Sequence, residues 1–387
     1  MVRVMQRGLR EGSPVRGPET PTDMPGFSMS GDYHGVISGY VLKMLRGSIR
    51  MTQTSLAECL GVDVSTVQGW ETGRRSLTSL RVSDFRRLQT RLAALGAPAT
   101  GVVSLHDAVE ADELLGQIVN GELGNADIRQ HPLASTVHRR RLVNLVTWPF
   151  TGITPPQLRD LPAKPGRGPV ASHPVLTAAA QHSFFDQLLN VAERASPEDM
   201  PVLRRQATYL VGFDKRRESA DWLTTQHKRA FTGSVAVNLT SGIAARSAAV
   251  ALARHGDADP LRYFIDNTLS DERHAAANLT YWAYWLGEIN EPHADDSYLI
   301  TAPSSRSWSG VRLADHLLEH LTDQVNAPLN IHSLWQLVLA RPELLEYDRE
   351  LRERTGRRVE AALDDNPAVG STVELNNLRC AVQLANR

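Results

Sequence analysis

Cysteine is scarce in this chain: two residues in 387, Cys59 and Cys380. Two thiols so far apart make neither a disulfide framework nor a zinc cluster by themselves. A reducing cytoplasm is the simplest setting. Long apolar runs are missing too, and none approaches the ~18–20 residues of a membrane span. No membrane partner is therefore expected. Net charge is nearly absent, at −1, so the chain is not basic throughout as a pure polyanion binder would be. Catalytic fingerprints are also lacking: there is no phosphate-binding loop, no dinucleotide-binding glycine pattern and no nucleophile elbow. No enzyme and no cofactor are expected.

Charge is nonetheless unevenly spread. The first 100 residues carry an excess of basic side chains and the remainder an excess of acidic ones. A basic module on an acidic body suits a chain that grips a polyanion with one end only. Residues 1–32 hold Pro14, Pro18, Pro21 and Pro25 together with Arg3, Arg7, Arg10 and Arg16 but no apolar stretch. They read as a disordered tail rather than a secretory signal.

The most informative stretch is Thr52 to Gly73. Thr52 is a good N-cap, and Leu56, Ala57 and Leu60 make one inward-facing stripe. Gly61 suits a turn that needs a positive φ. Asp63 is placed to cap a second helix whose buried face is Val67 and Trp70. Two short helices around a tight turn are the layout of a DNA-binding helix-turn-helix. A first helix over about 36–50 precedes them, with Tyr40, Val41, Met44 and Leu45 as its apolar face. Further helical pattern over 79–95 closes the unit.

The residue order Thr-Gln-x-x-Leu-Ala-x-x-Leu-Gly-Val-x-x-x-Thr-Val-x-x-Trp-Glu-x-Gly-Arg-Arg resembles the XRE-type (phage repressor and Cro-like) helix-turn-helix regulators. The likeness covers roughly Tyr40 to Leu95. The whole chain is similar to the long actinobacterial XRE regulators of the WhiJ-like kind, through the stretch Asn278-Leu-Thr-Tyr-Trp-Ala-Tyr-Trp-Leu-Gly-Glu288. The resemblance implies a lambda-repressor-like domain and places Val64, Ser65, Gln68 and Gly69 against base edges. Gln68 can pair bidentately with adenine, Val64 can pack on a thymine methyl, and Ser65 discriminates less. Gly69 brings no side chain and permits close approach. Thr52 and Gln53, at the start of the first motif helix, are expected to meet phosphate, as are Arg74 and Arg75 just beyond the second. A module of this size implies a homodimer on an inverted-repeat operator of double-stranded DNA.

Beyond a linker at 97–103, helical spacing recurs almost everywhere, with breaks at proline and glycine. Segments near 105–119, 132–147, 175–194, 198–212, 216–231, 238–254, 260–268, 271–289, 311–325, 331–340, 343–355 and 370–385 carry it. No alternating strand pattern persists. The chain is expected to be all-α: a tail (1–32), a helix-turn-helix domain (33–96), the linker, a connecting segment (104–161), a flexible loop (162–174) and a regulatory or oligomerisation domain (175–387). The last is read as a bundle or a tetratricopeptide-like array without a clean repeat.

Two constellations stand out in the body. Tyr281, Trp282 and Trp285, with Tyr284, lie on one helix and either pack a core or line a ligand pocket. His316-Leu-Leu-Glu-His320 matches a zinc-hydrolase pattern, but Leu313, Leu317, Leu318 and Leu321 make the same helix a packing element. No metal site is assigned. The expected function is that of a cytoplasmic, nucleoid-associated sequence-specific regulator, acting as a repressor and sensing a small-molecule or protein effector. One rival makes the body a scaffold for a protein partner, as in an adaptor or antitoxin. The remote rival is a zinc-dependent hydrolase.

Overall fold

The computed structural model describes residues 33–386 except 34, 124–126, 162–170, 232–237, 294, 302–307 and 366–368. The expected tail 1–32 and most of the loop 162–174 lie outside the described residues. Among those described there is no strand, and the chain is all-α.

Five helices make the N-terminal part: α1 (Val36–Ser48), α2 (Gln53–Leu60), α3 (Val64–Glu71), α4 (Val82–Ala94) and α5 (Ala99–Val119). Then come α6 (Arg140–Thr151), α7 (Ala178–Arg194), α8 (Pro201–Val211), α9 (Arg217–Phe231) and α10 (Leu239–Arg254). The last group is α11 (Asp259–Tyr263), α12 (Glu272–Trp285), α13 (Ser297–Thr301), α14 (Val311–Glu319), α15 (Ala327–Ala340), α16 (Glu343–Glu346), α17 (Arg349–Asp364) and α18 (Val369–Ala385).

Most of these lie where the apolar spacing places them. Four differences have local causes. Pro149, expected as a break, sits inside α6, which runs on until Gly152 closes it in a left-handed conformation at φ 67°. α14 stops at Glu319 rather than near 325, where the His320 ring turns back to bond the His316 carbonyl at 2.8 Å. The segment 343–355 divides at Asp348, which caps α17 by accepting from the Leu351 N–H. α13 was missed because a five-residue helix is shorter than the window that reveals a period.

The expected linker 97–103 is a larger correction. Residues from Ala99 onward are already α5, and that helix lies against α1. Gly101 is the reason the two approach so closely: a Cβ there would sit 2.6 Å from the Leu45 side chain. Ala108 and Ala111 continue the small, buried face of α5. One hydrophobic core runs without interruption from Ile37 and Leu56 through Leu105 and Leu115 to Phe184, Leu210 and Leu252. A second joins α10 to α12, α14, α15, α17 and α18 through Phe264, Leu317, Leu334 and Leu378. Helix α10 belongs to both. It is alanine-rich and buried nearly all round, as a helix between two cores must be.

Candidate nucleic-acid interface and ligand cavity

α2 and α3 are joined by three residues, Gly61 to Asp63. Thr52 caps α2 by accepting from the Ser55 N–H at 3.0 Å, and Gly61 ends that helix at φ 69°. Asp63 occupies the position before α3, but its side chain makes no capping bond, contrary to expectation. Val67 and Trp70 are buried, as their spacing requires. α1 crosses directly over the end of α3, and a Cβ on Gly39 would lie 2.1 Å from the Trp70 carbonyl oxygen.

A buried ion pair ties the three helices together. Glu71 accepts from Arg46 through both carboxylate oxygens, at 2.5 and 2.9 Å, and from the Gln53 amide at 2.7 Å. Arg46 also donates to the Met51 carbonyl at 2.8 Å. Arg46 is thus the partner of Glu71. Gln53 has its amide inside this network, which removes it from the expected phosphate contacts.

The remaining interface residues separate by exposure. Ser65 and Gln68 are exposed on α3, and Thr52 and Arg74 are exposed at its flanks. Val64 is half-buried and packs on the core. Gly69 is buried beneath the stem of Arg75, whose Cγ and Cδ would lie 3.0 Å from an added Cβ. It is therefore not an open edge. The Arg75 guanidinium folds back over α3 and donates to the Thr66 hydroxyl at 2.8 Å. Over residues 33–98 the exposed charges are seven arginines against three carboxylates, so this surface is positive. Arg81, Arg86, Arg87 and Arg91 belong to it. Sequence reasoning passed over them because it followed the motif rather than the polar face of α4.

The module is anchored to α5 by one buried acid. Asp112 accepts from the Ile37 and Ser38 N–H groups at 3.0 and 2.8 Å and from the Tyr33 hydroxyl at 2.5 Å. It supplies from another helix the cap that Gly35 does not provide to α1. Burial raises its pKa to about 6, against the pull of these donors. An acid on the apolar stripe of Leu105, Ala108 and Leu115 was the sequence signal for it.

No family model, curated protein or solved structure matches this chain.

A second candidate site lies in the body. Tyr281, Trp282 and Trp285 line a cavity of about 190 Å³ between α6, α8, α10, α12, α14 and the start of α15. Tyr284, by contrast, is fully buried and packs against Tyr298. Trp308 and Trp335 belong to the second core and stay outside the cavity. The other walls are unexpectedly basic. Arg140 enters from α6, and Arg246 and Arg254 enter from one stripe of α10 together with Val250. The Arg140 guanidinium lies 4.8 Å from the Trp285 ring centre. Arg246 lies 4.5 Å from that of Trp282 and 5.2 Å from that of Tyr281. Arg254 lies 4.5 Å from Tyr209. Two arginines, Arg246 and Arg254, amid the alanines of 239–254 were the signal that sequence reasoning left unused.

His316 also faces this cavity. Burial, with Arg140, His320 and Arg246 nearby, lowers its pKa to about 2, so the ring is neutral. Its Nδ1 lies 3.0 Å from an Arg140 nitrogen that can only donate, which leaves the ring proton on Nε2. A guanidinium held against the ring is the reverse of what a metal ligand needs. Among the described residues no three histidine, cysteine or carboxylate groups converge as ligands. Glu374, an acid downstream of the pattern, is bonded to His332 at 2.5 Å. Of the zinc pattern, His316 and His320 line the cavity and Glu319 is exposed.

Proposed function

We propose that this chain is a sequence-specific DNA-binding regulator whose helix-turn-helix unit, α2 and α3, enters the major groove of an inverted-repeat operator as a homodimer. The observation that carries the reading is the pairing of exposed polar Ser65 and Gln68 on α3 with a surface of seven arginines and three carboxylates. The XRE-like residue order supports it independently. Gln68 reads an adenine and Ser65 adds a weaker contact. Thr52, Arg74 and the arginines of α4 grip phosphate, and Arg75 joins them once it leaves Thr66. Val64 reaches a thymine methyl only by its exposed edge. A cavity lined by arginines and aromatic rings favours a body that senses a small molecule over one that is solely a scaffold for a protein partner. An effector acts here by binding two body conformations unequally and so altering the spacing of the recognition helices.

Fluorescence anisotropy of the full-length protein tests this, on DNA from upstream of its own gene and on a scrambled duplex, at two salt concentrations. Arg74→Ala should weaken binding to both duplexes and flatten the salt dependence by about one contact. Gln68→Ala should cost about 1–3 kcal/mol on the cognate duplex alone. Equal loss on both duplexes would remove Gln68 from base reading. Weak, equal binding of both duplexes by the unaltered protein would count against the regulator itself.

A further inference from the structure

The way this chain treats its buried arginines is uneven. Arg205 is 2% exposed and is paired with Asp296 by two bonds of 2.5 and 2.7 Å. Arg246 is 7% exposed and lies one helix away, yet no described carboxylate pairs with it. Its Nε donates to the neutral Asn278 side chain at 2.8 Å, and its guanidinium lies against the Trp282 and Tyr281 rings. Arg140 and Arg254 share the cavity, likewise without a carboxylate within pairing distance among the described residues. Asp323 is the one acid on its wall. Removing a guanidinium from water is unfavourable unless an anion or full hydrogen bonding offsets it. Ring faces offset only part of that. The site is therefore short of negative charge.

Its unused hydrogen-bonding groups specify more. The Arg140 Nε and the Trp282 indole N–H are buried donors without an acceptor. The Asn326 and Asn330 side-chain oxygens are buried acceptors without a donor. Tryptophan and tyrosine rings form further walls, with Val250, Leu329, His316 and His320 beside them. A volume of about 190 Å³ lies below the range of drug-sized pockets and admits a compact molecule.

We propose that this cavity is a binding site for a small hydroxylated aromatic carboxylate. The carboxylate meets the Arg140 and Arg246 guanidiniums, which favour a planar anion held by paired N–H groups. The ring lies among Tyr281, Trp282 and Trp285, and the hydroxyl donates toward Asn326 or Asn330. The inference concerns the body alone and stands whether or not the N-terminal module binds DNA.

Isothermal titration calorimetry on the full-length protein tests it with 4-hydroxybenzoate, its neutral amide 4-hydroxybenzamide, and inorganic phosphate. The expected result is one site for 4-hydroxybenzoate, with the amide weaker by tenfold or more, about the loss from unpairing a buried charge. Arg246→Met should lower the affinity for the acid by a similar factor while leaving the amide unchanged. Circular dichroism checks that this variant folds, and the acid–amide comparison on the unaltered protein needs no variant. Absence of heat from 4-hydroxybenzoate at millimolar concentration would overturn the proposal. So would equal affinity for acid and amide. Binding of phosphate without 4-hydroxybenzoate would overturn the aromatic part and leave an inorganic anion site.

Discussion

At the scale of single residues, close approach and buried charge decide most of what a substitution would do. Gly39 is the sharpest case. The Trp70 carbonyl occupies the space a side chain would need, and the atom in the way is backbone. Gly39→Ala should therefore cost roughly 2 kcal/mol or more, because α1 and α3 would have to separate. Urea unfolding measures this, and an unchanged midpoint would mean the crossing is looser than described. Glu71 is the matching case for charge. Its carboxylate serves two donors from two other helices, and its side chain is 3% exposed. Glu71→Ala would strand Arg46, a loss of about 3–5 kcal/mol where one partner of a buried pair is removed. The same unfolding experiment reads it, and a cost below ~1 kcal/mol would show that solvent reaches Arg46.

At the scale of elements, the joint between α1 and α5 is the feature with most consequence. Asp112 on α5 takes the place of a cap for α1, and burial raises its pKa from 3.8 to about 6. The folded chain therefore holds that proton more tightly than the unfolded chain does. The stability this contributes is complete below pH 3.8 and is lost as pH rises through about 6. Asp112→Asn removes the titration and keeps one acceptor oxygen, so one of the two N–H groups loses its partner at every pH. The difference in stability between protein and variant should change by ~2–3 kcal/mol between pH 4 and pH 8. Parallel pH profiles would show that Asp112 does not titrate in this window. The elements themselves were largely legible in the sequence. Apolar residues three and four apart report a buried stripe wherever a helix lies on a core. The errors fell at α13, at Pro149, at the end of α14, in the 343–355 segment and at the linker 97–103, where length, a local cap or packing against α1 outweighs period.

At the scale of the molecule, the N-terminal unit is not a bead on a string. Its core continues through α5 into α7 and α8. A fragment covering 33–98 would expose the face of α1 that Leu105, Ala108 and Ala111 cover, whereas one extended to 119 keeps that face buried. The shorter fragment should show less helical circular dichroism per residue and no cooperative melt. A cooperative melt near that of the full chain would show that the module is independent of α5. The cavity lies at the same level of organisation. Arg140 and Tyr209 come from helices of the first core, and Trp282, Trp285 and His316 come from those of the second. A molecule bound there touches both halves.

Sequence by itself determined the all-α class, most helix positions, the α2–α3 turn with its Thr52 cap and Gly61, and the grouping of Tyr281, Trp282 and Trp285. Each of these is a local property: periodicity, capping and turn chemistry act over a few residues and are written in consecutive letters. Tertiary structure alone decided that Gln53 serves Glu71, that Arg75 covers Gly69, that Asp112 caps a helix 75 residues away and that Arg140 meets Arg246 in one cavity. Those facts are pairings between distant segments. The stripe that buries a helix shows that it packs, but the partner across the core is chosen only when all the stripes are satisfied together.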